Sequence, residues 1–292
     1  MIRKISPLFL LLTLFSTMPL AAVNSETNVE NEQGAVIERV LHRSGLIQQL
    51  AQLPQIVQAE MDRQPLPDAT EEEAQRFKAI FVQAVAPSSM QAAVTQHLHS
   101  QYDAPKFKAM LDLLDTSLAR KMTAFEVEAS TATAQQAMLD FANSLSATPP
   151  SAERVKLAEK LIDVAGGLDT VLAMQLGIAE AMMRAMVPFM PPEEDVSEAK
   201  LAEVLNQIRM QMTEPMTNYL MVSVFFTYRQ ATDEELQQYI AMYESDTGQW
   251  MTTLFNGALV HSFKVAADVM GKDAAVEFAK RKPATAATPL KN

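Results

Sequence analysis

Apolar residues recur every three or four positions along most of the chain, which is the spacing of one face of an α-helix. Strands show a different pattern, an alternation rich in β-branched residues, and the nearest example, at 222–226, lies inside a longer helical pattern. The apolar spacing predicts eleven helices, at residues 36–53, 55–62, 71–85, 89–101, 104–115, 117–144, 152–165, 169–187, 197–228, 233–245 and 248–279. We therefore expect an all-α protein, folded as a helical bundle.

The apolar pattern also recurs within the chain. Two alignments of the chain with itself keep the apolar positions in phase: 39–57 with 154–172 at a shift of 115, and 107–122 with 236–251 at a shift of 129. The second alignment also matches candidate helix caps, since Asp103 falls on Thr232. These agreements predict that the bundle is built from two tandem, related helical repeats, at 35–146 and 151–280.

The first residues carry the features of a targeting signal. Arg3 and Lys4 precede the apolar run 7–15, and small residues at 21–22 offer a cleavage site. The run is too short for a bilayer span, which needs ~20 residues. We expect a cleaved Sec-type signal peptide over 1–22, a periplasmic or secreted protein, and no transmembrane anchor after cleavage. The alternative is an uncleaved anchor.

Two further segments offer little apolar surface to bury. Residues 23–34 are polar and acidic, and we expect them to form a flexible lead-in. Residues 281–292 are rich in Lys, Pro, Ala and Thr, which predicts a disordered tail. The folded part is therefore expected to lie between these two segments.

Composition and charge exclude several classes of function. The chain has no Cys, so it has neither a disulfide framework nor a thiolate metal site. Its net charge of -11 is unsuited to neutralising nucleic-acid phosphates or to docking on anionic lipid. The four His residues are not paired at a ligand spacing, so we predict no metal site and no cofactor. Neither a nucleophile elbow nor a phosphate-binding loop occurs, so we predict no catalytic residue.

One helix is expected to lie inside the bundle. Residues 168–186 are apolar nearly all round, a pattern typical of a buried helix. Glu180 and Arg184 are four residues apart and would pair there. That buried ion pair is interpreted either as a structural pair or as the lining of a pocket.

Methionine is unusually abundant, with 19 residues. Met182, Met183 and Met186 belong to the helix just described, and methionines line adaptable apolar grooves as well as filling cores. We therefore predict a ligand site formed by these methionines with Glu180 and Arg184. Its expected partner is a periplasmic protein, a peptide or an apolar ligand.

Two other functions stay open at this point. Met183, Met186 and Met190 are spaced i, i+3 and i+7, and thioethers bind Cu(I), so copper handling is one of them. The other is a cell-envelope hydrolase that uses carboxylates, suggested by the compartment and the acidic composition. The favoured interpretation is a non-catalytic binding or interaction protein with a methionine-rich apolar groove.

The segment 235–250 predicts a corner between two helices. Tyr243 continues the apolar stripe of the first helix, and Ser245 can end that helix and cap the next one. Gly248 would let the two backbones approach closely. Trp250, the only Trp of the chain, then re-enters the core.

The same segment resembles the signature of the DUF2059 family, uncharacterised bacterial proteins that carry signal peptides. The signature runs roughly E-L-x-x-h-h-x-F-Y-x-S-P-x-G-Q, and the matching residues are Glu235, Leu236, Tyr243, Ser245, Gly248 and Gln249. Met242 and Asp246 depart from it, since Phe and Pro are usual there. The resemblance is clearest over 215–272, and a degenerate first copy has Leu114 and Ala119 in place of the Tyr and the Gly. It implies an all-helical secreted or periplasmic protein and no particular reaction.

Overall fold

The protein is built from helices, as a computed structural model shows. The structure describes residues 26–63, 70–190 and 196–280. These ranges contain no strand, which confirms the all-α class. Their helices are α1 (Glu26–Arg43), α2 (Leu46–Leu50), α3 (Leu53–Arg63), α4 (Glu71–Ala84), α5 (Pro87–Ser100), α6 (Ala104–Leu114), α7 (Ser117–Ala129), α8 (Ala132–Ser144), α9 (Ala152–Val164), α10 (Gly167–Met186), a short 3₁₀ helix (Val187–Phe189), α11 (Glu198–Thr227), α12 (Asp233–Glu244) and α13 (Asp246–Lys280).

Two stretches predicted as single helices are divided in the structure. The stretch 36–53 breaks after α1, where Gly45 adopts a left-handed conformation with φ 72° that L side chains rarely adopt. The stretch 117–144 breaks at Thr131, whose hydroxyl caps α8 by accepting a hydrogen bond from the backbone N–H of Ala134. Because apolar spacing continues across both breaks, periodicity alone predicted single helices wrongly.

Of the segments predicted at the two ends of the chain, the structure describes only part of one, the segment 23–34. α1 begins at Glu26, so most of the segment 23–34, expected to be a flexible lead-in, is helical. The predicted signal peptide 1–22 and the predicted tail 281–292 lie outside the described residues, and both stay predictions.

The largest hydrophobic core joins the two ends of the described chain. α1 contributes Ile37 and Val40, α6 contributes Phe107, and α13 contributes Leu254 and Phe263, all of them buried. α13 therefore packs against the first half of the chain as well as against its own half. A single core thus spans the two predicted repeats.

Two helical corners have the same hydrogen bonds. Between α12 and α13, Ser245 Oγ donates to the carbonyl oxygen three residues earlier at 2.7 Å and accepts from the N–H of Gly248 at 3.0 Å. Between α6 and α7, Thr116 Oγ1 makes the equivalent bonds, at 2.9 Å to the carbonyl and 3.2 Å from the N–H of Ala119. Equivalent residues are separated by the shift of 129 found in the sequence. Thr131, between α7 and α8, makes the same pair of bonds with Glu128 and Ala134, so the pattern is not specific to these two corners. The tandem repeat therefore stays a prediction.

α10 and α13 run in parallel and in close contact. Asn256 Nδ2 donates to the carbonyl oxygen of Ala165, just before α10, at 2.9 Å. Further along both helices, a Cβ placed on Gly271 would lie 2.9 Å from the carbonyl oxygen of Ala181. The absence of a side chain at Gly271 is thus what allows the two backbones to approach.

Candidate functional site

α10 is less buried than its sequence predicts. Of its residues, Thr170, Leu172 and Ala185 are the buried ones. Together with the 3₁₀ helix that extends it to Phe189, α10 is the one helix among the described residues whose length and composition would allow it to cross a membrane. Of the 18 residues in its most apolar stretch, 11% are buried. The prediction of a helix enclosed by the bundle is therefore wrong. α10 packs against α13 and α11, and most of its residues are partly buried, neither enclosed nor fully exposed.

Glu180 and Arg184 pair as predicted, but at the surface. The Arg184 guanidinium lies 2.9 Å from Glu180 and contacts both carboxylate oxygens of Glu198 at 2.7 Å. The side chains of Glu180 and Arg184 are 42% and 46% exposed, so the expectation of a buried pair is wrong. Hydrogen bonds to Glu198 and then to Glu180 raise the pKa of Arg184, and Arg184 in turn lowers the pKa of Glu198. The three groups tie the end of α10 to the start of α11.

The three predicted methionines lie within an arc of about 100° around α10, with Met186 between the other two. Met182 and Met183 are partly buried, and Met186 is 41% exposed. Met182 and Met186 are four residues apart and lie on one side, whereas Met183 points about 100° away from Met182. α10 ends at Met186 and the 3₁₀ helix follows, so Met190 is not on the same α-helix. The i, i+3, i+7 spacing that suggested copper therefore does not describe the three side chains.

A groove of about 420 Å³ runs between α10 and α11. It is lined by Ala173, Leu176, Gly177, Glu180, Ala202, Leu205, Asn206 and Arg209. A Cβ placed on Gly177 would meet no atom within 4 Å, so the groove is open at this position. Of the residues predicted to bind a ligand, Glu180 lines this groove, and the three methionines are not among its lining residues.

A second candidate site is a partly buried carboxyl group that the sequence did not single out. Glu126, on α7, accepts hydrogen bonds on Oε1 from the hydroxyl groups of Tyr228 at 2.5 Å and Tyr239 at 2.7 Å. The Tyr239 hydroxyl also lies 3.4 Å from that of Tyr243. Tyr228 directly follows α11, and the other two tyrosines belong to α12, so three helices converge on one carboxyl group.

The surroundings of Glu126 favour its neutral form. Burial raises the pKa of its carboxyl group, and the hydrogen bonds from Tyr228 and Tyr239 oppose that rise only in part. Burial, and after it the charge of Glu126, raises the pKa of Tyr228, Tyr239 and Tyr243. The tyrosines are therefore neutral hydrogen-bond donors, and the carboxyl group ionises at a higher pH than an ordinary glutamate.

Glu126 lines a cavity of about 170 Å³ between the two helical corners. One polar atom of its lining residues, Thr252 Oγ1, is buried and has no hydrogen-bond partner among the described residues. Three pairs of lining residues are related by the shift of 129: Leu114 and Tyr243, Thr123 and Thr252, and Glu126 and Phe255. Positions separated by the shift of 129, one pair within the aligned segments and two pairs beyond them, thus lie around one cavity.

The start of α12 holds two residues of the DUF2059-like motif. Glu235 completes a capping box with Thr232 and lies 2.5 Å from the ammonium nitrogen of Lys121 on α7. Leu236 is buried in a core cluster that also contains Tyr239. Both motif residues therefore position α12 against α7, which carries Glu126.

The remaining motif residues form the corner after α12. Beside the turn made by Ser245 and Gly248, Gln249 Nε2 donates to the carbonyl oxygen of Glu244 at 2.8 Å. Trp250 meets Phe107 edge to face, with ring centroids 5.6 Å apart. Tyr243 is the motif residue that lines the cavity. The corner is thus a packing element that adjoins a candidate binding site.

Histidines and carboxylates do not gather into a metal site in the described ranges. No group of three or more His, Cys, Asp or Glu residues there is placed to hold a metal ion. His97 and His261 face each other with ring centroids 5.8 Å apart. Burial, and after it His261, lowers the pKa of His97. The two rings thus form a contact between α5 and α13.

The sequence analysis missed Glu126, Tyr228 and Tyr239 as a group. Glu126 lies 102 residues from Tyr228 and 113 from Tyr239 along the chain, so no local spacing links the three. One signal was available just beyond the aligned segments, because the same shift of 129 places Glu126 opposite Phe255. A carboxylate opposite an aromatic residue at a repeated helical position is a departure from the apolar pattern.

Comparison with known protein families, with curated proteins and with solved structures finds no match to this chain. The resemblance of the corner to the DUF2059 signature therefore stays a prediction. Function has to be argued from the geometry of the groove and the cavity.

Proposed function

We propose that this chain is a non-catalytic helical binding protein of the periplasm or cell exterior, which docks an amphipathic helix of a partner protein in the groove between α10 and α11. The observation that carries the proposal is the incomplete burial of α10, an apolar helix whose residues are mostly only partly buried and which ends at the exposed side chains of Met186, Val187 and Phe189. A helix that is apolar all round is normally enclosed. Apolar surface left open on such a helix marks an interaction site.

The shape of the groove suits a third helix. α10 and α11 pack side by side, and Ala173 and Gly177, one turn apart on α10, line the groove without large side chains. Small residues at this spacing let another helix approach closely, so that its side chains pack between those of the two helices. Because a Cβ on Gly177 would meet no atom within 4 Å, that space is not filled by the protein's own side chains.

Charges at the two ends of the groove favour a peptide over a lipid chain. At one end, Glu180 and Glu198 share the single guanidinium of Arg184. Towards the other end lies Arg209, and a carboxylate oxygen of Asp169 is 3.8 Å away from it. A helix with basic residues near Glu180 and acidic residues near Arg209 would complement both ends. An acyl chain offers no group that pairs with these charges.

The turn after α10 enlarges the apolar surface. Met186, Val187 and Phe189 are exposed there, and so is Val196 just before α11. These side chains stand beyond the ion pairs of Arg184, at the end of the groove. A partner helix longer than the groove would therefore meet further apolar contacts, the mode in which amphipathic helices dock.

The two alternative functions gain less support from the geometry. Carboxylate-based glycoside hydrolysis uses two carboxyl groups, whereas Glu126 is the one carboxylate among the residues that line the cavity. Copper binding through methionines relied on a helical spacing that the 3₁₀ helix interrupts. Docking of a partner helix in the groove between α10 and α11 is therefore the function that we propose.

Filling the groove tests the proposal. A photo-reactive amino acid at Asn206, on the rim, identifies the partner in cells, and the affinity of the partner's helix is then measured with purified protein. Gly177→Leu places a side chain in the open space of the groove, so we expect about a tenfold weaker affinity for the partner helix. We expect the melting temperature to stay the same or rise, because Leu favours the helix more than Gly does. Gly34→Leu is the matched control, because a Cβ there also meets nothing within 4 Å.

Two outcomes would contradict the proposal. An affinity for the partner helix that is the same in Gly177→Leu and in the parent would remove the groove as the docking site. Flotation of the parent with phosphatidylcholine vesicles, lost in Gly177→Leu, would assign the open surface of α10 to a membrane rather than to a protein helix.

A further inference from the structure

The cavity beside Glu126 lies apart from the α10–α11 groove, and no residue lines both. We propose that this cavity binds a small organic ammonium ion, with the Glu126 carboxylate as its counter-ion and tyrosine rings against its alkyl part. The site does not depend on the docking of a partner helix.

The charges around the cavity favour a cation. Glu126 carries the one carboxyl group among the lining residues, and no Lys, Arg or His belongs to them. Basic side chains on adjoining helices are engaged elsewhere, since Lys121 pairs with Glu235 and Arg154 pairs with Asp233. An ionised Glu126 therefore has no counter-ion among the residues that line the cavity, which is unfavourable for a partly desolvated charge. A bound cation would remove that cost.

The hydrogen bonds leave acceptors free inside the cavity. Tyr228 and Tyr239 both donate their hydroxyl hydrogen to Glu126 Oε1. Because the Tyr239 hydrogen is already used, the hydrogen bond between Tyr239 and Tyr243 is donated by the Tyr243 hydroxyl and accepted by the Tyr239 oxygen. Glu126 Oε2 accepts from no described residue. Thr252 Oγ1 is buried without a partner. An ammonium group has N–H donors and no acceptor, so it matches free oxygen atoms of this kind.

The walls and the size of the cavity suit a short alkyl chain. Tyr239, Tyr243 and Phe255 contribute aromatic rings, whose faces attract cations. Leu114 and Leu259 add aliphatic wall. A cavity of about 170 Å³ holds a ligand of about five to ten non-hydrogen atoms. The ligand class is therefore a primary or substituted amine with a small apolar group.

Protonation of Glu126 links the site to pH. The carboxyl group ionises at a higher pH than usual because burial raises its pKa, and an ammonium ion pairs only with the ionised form. The other titratable side chains that face it are Tyr228, Tyr239 and Tyr243, all neutral because their pKa values are raised. Affinity for the ammonium ion should therefore fall as the pH decreases through the pKa of Glu126.

The test is calorimetric titration of the full chain with butylammonium chloride, with 1-butanol as the neutral ligand of similar size. We expect one butylammonium ion to bind per chain and 1-butanol to bind at least about tenfold more weakly. Glu126→Gln keeps an oxygen acceptor for the tyrosines and should lower the butylammonium affinity about tenfold or more. Thr252→Val keeps the side-chain shape and should lower it several-fold. Thr253→Val, at an exposed neighbour whose hydroxyl bonds to its own helix, is the matched control.

Three results would overturn the proposal. The first is that Glu126→Gln binds butylammonium as tightly as the parent does. The second is that 1-butanol binds as tightly as butylammonium. The third is that the folded parent gives no heat of binding with either ligand, which would mean that water alone fills the cavity. If Glu126→Gln does not fold, Thr252→Val and the pH series on the parent decide. An affinity that stays the same over the whole acid-to-neutral range in which the parent stays folded would then exclude Glu126 as the counter-ion.

Discussion

A Cβ placed on Gly248 would lie 2.0 Å from the carbonyl oxygen of Met242, so the turn from α12 into α13 closes on backbone atoms. A single residue, Ser245, links these two helices, whereas two residues link α6 to α7. The tighter corner requires Gly, and Ala119 fits the equivalent place of the looser one. The residue difference between the two related corners thus has a geometric reason.

Substitution of Gly248 should be strongly destabilising. We expect Gly248→Leu to lower the free energy of unfolding by about 3 kcal/mol or more, because no flexible side chain can move aside for the new Cβ. Urea unfolding followed by circular dichroism measures the change, and Gly177→Leu, in open space, is the control with the same substitution. If Gly248→Leu melts like the parent and loses a binding activity, the corner is itself a site.

The contact between α10 and α13 gives a second prediction. Gly271→Ala should lower the free energy of unfolding by about 1–3 kcal/mol, since its Cβ would press on the carbonyl oxygen of Ala181 at 2.9 Å. Gly177→Ala, whose Cβ meets nothing, should raise it by up to about 1 kcal/mol through helix propensity. Equal effects of the two substitutions in thermal unfolding would show that the helices do not approach closely at Gly271.

Arg154 holds the start of α9 against the segment between α11 and α12. Its guanidinium donates to the carbonyl oxygens of Tyr228 and Ala231 and to Asp233, the last at 2.8 Å. Lys cannot reproduce this fork, so we expect Arg154→Lys to cost about 1–3 kcal/mol through carbonyl groups left unpaired. Urea midpoints measure this cost. Lys156→Ala, at an exposed position on the same helix, should change stability by less than about 0.5 kcal/mol.

The raised pKa of Glu126 predicts how stability depends on pH. The folded state holds this proton more tightly than the unfolded chain, so the stability contributed by the group is present below the ordinary carboxyl pKa. It is lost as the pH rises through the folded-state pKa. Glu126→Gln stays neutral, so the variant should gain stability relative to the parent as the pH rises through this window.

Parallel chemical unfolding of Glu126→Gln and the parent across the acid-to-neutral range checks this dependence. Glu128→Gln on the same helix is the control, because Glu128 is exposed and pairs with Arg229. A difference between parent and Glu126→Gln that stays constant with pH would mean that the carboxyl group does not change its charge in that range.

Local features of the structure were predictable. α12 begins at Asp233 and α4 at Glu71, each after a Thr that forms a capping box with the Glu three residues later, because both partners of a cap lie within one turn. The pairing of Glu180 with Arg184 followed for the same reason, since i and i+4 are neighbours on any helix. The break at Gly45 was not predicted, because the apolar spacing continues through it.

The sequence by itself determined the helical class, most helix starts and the tight corner between α12 and α13, because these depend on hydrogen bonds and side-chain contacts within a few residues. Only the tertiary structure decided which helix faces meet. It left α10 partly open although its composition is that of a core helix, and it brought Glu126 to two tyrosines more than a hundred residues away. The physical reason is that burial, and with it the pKa of a carboxyl group, depends on distant segments that pack against a residue and not on its neighbours along the chain.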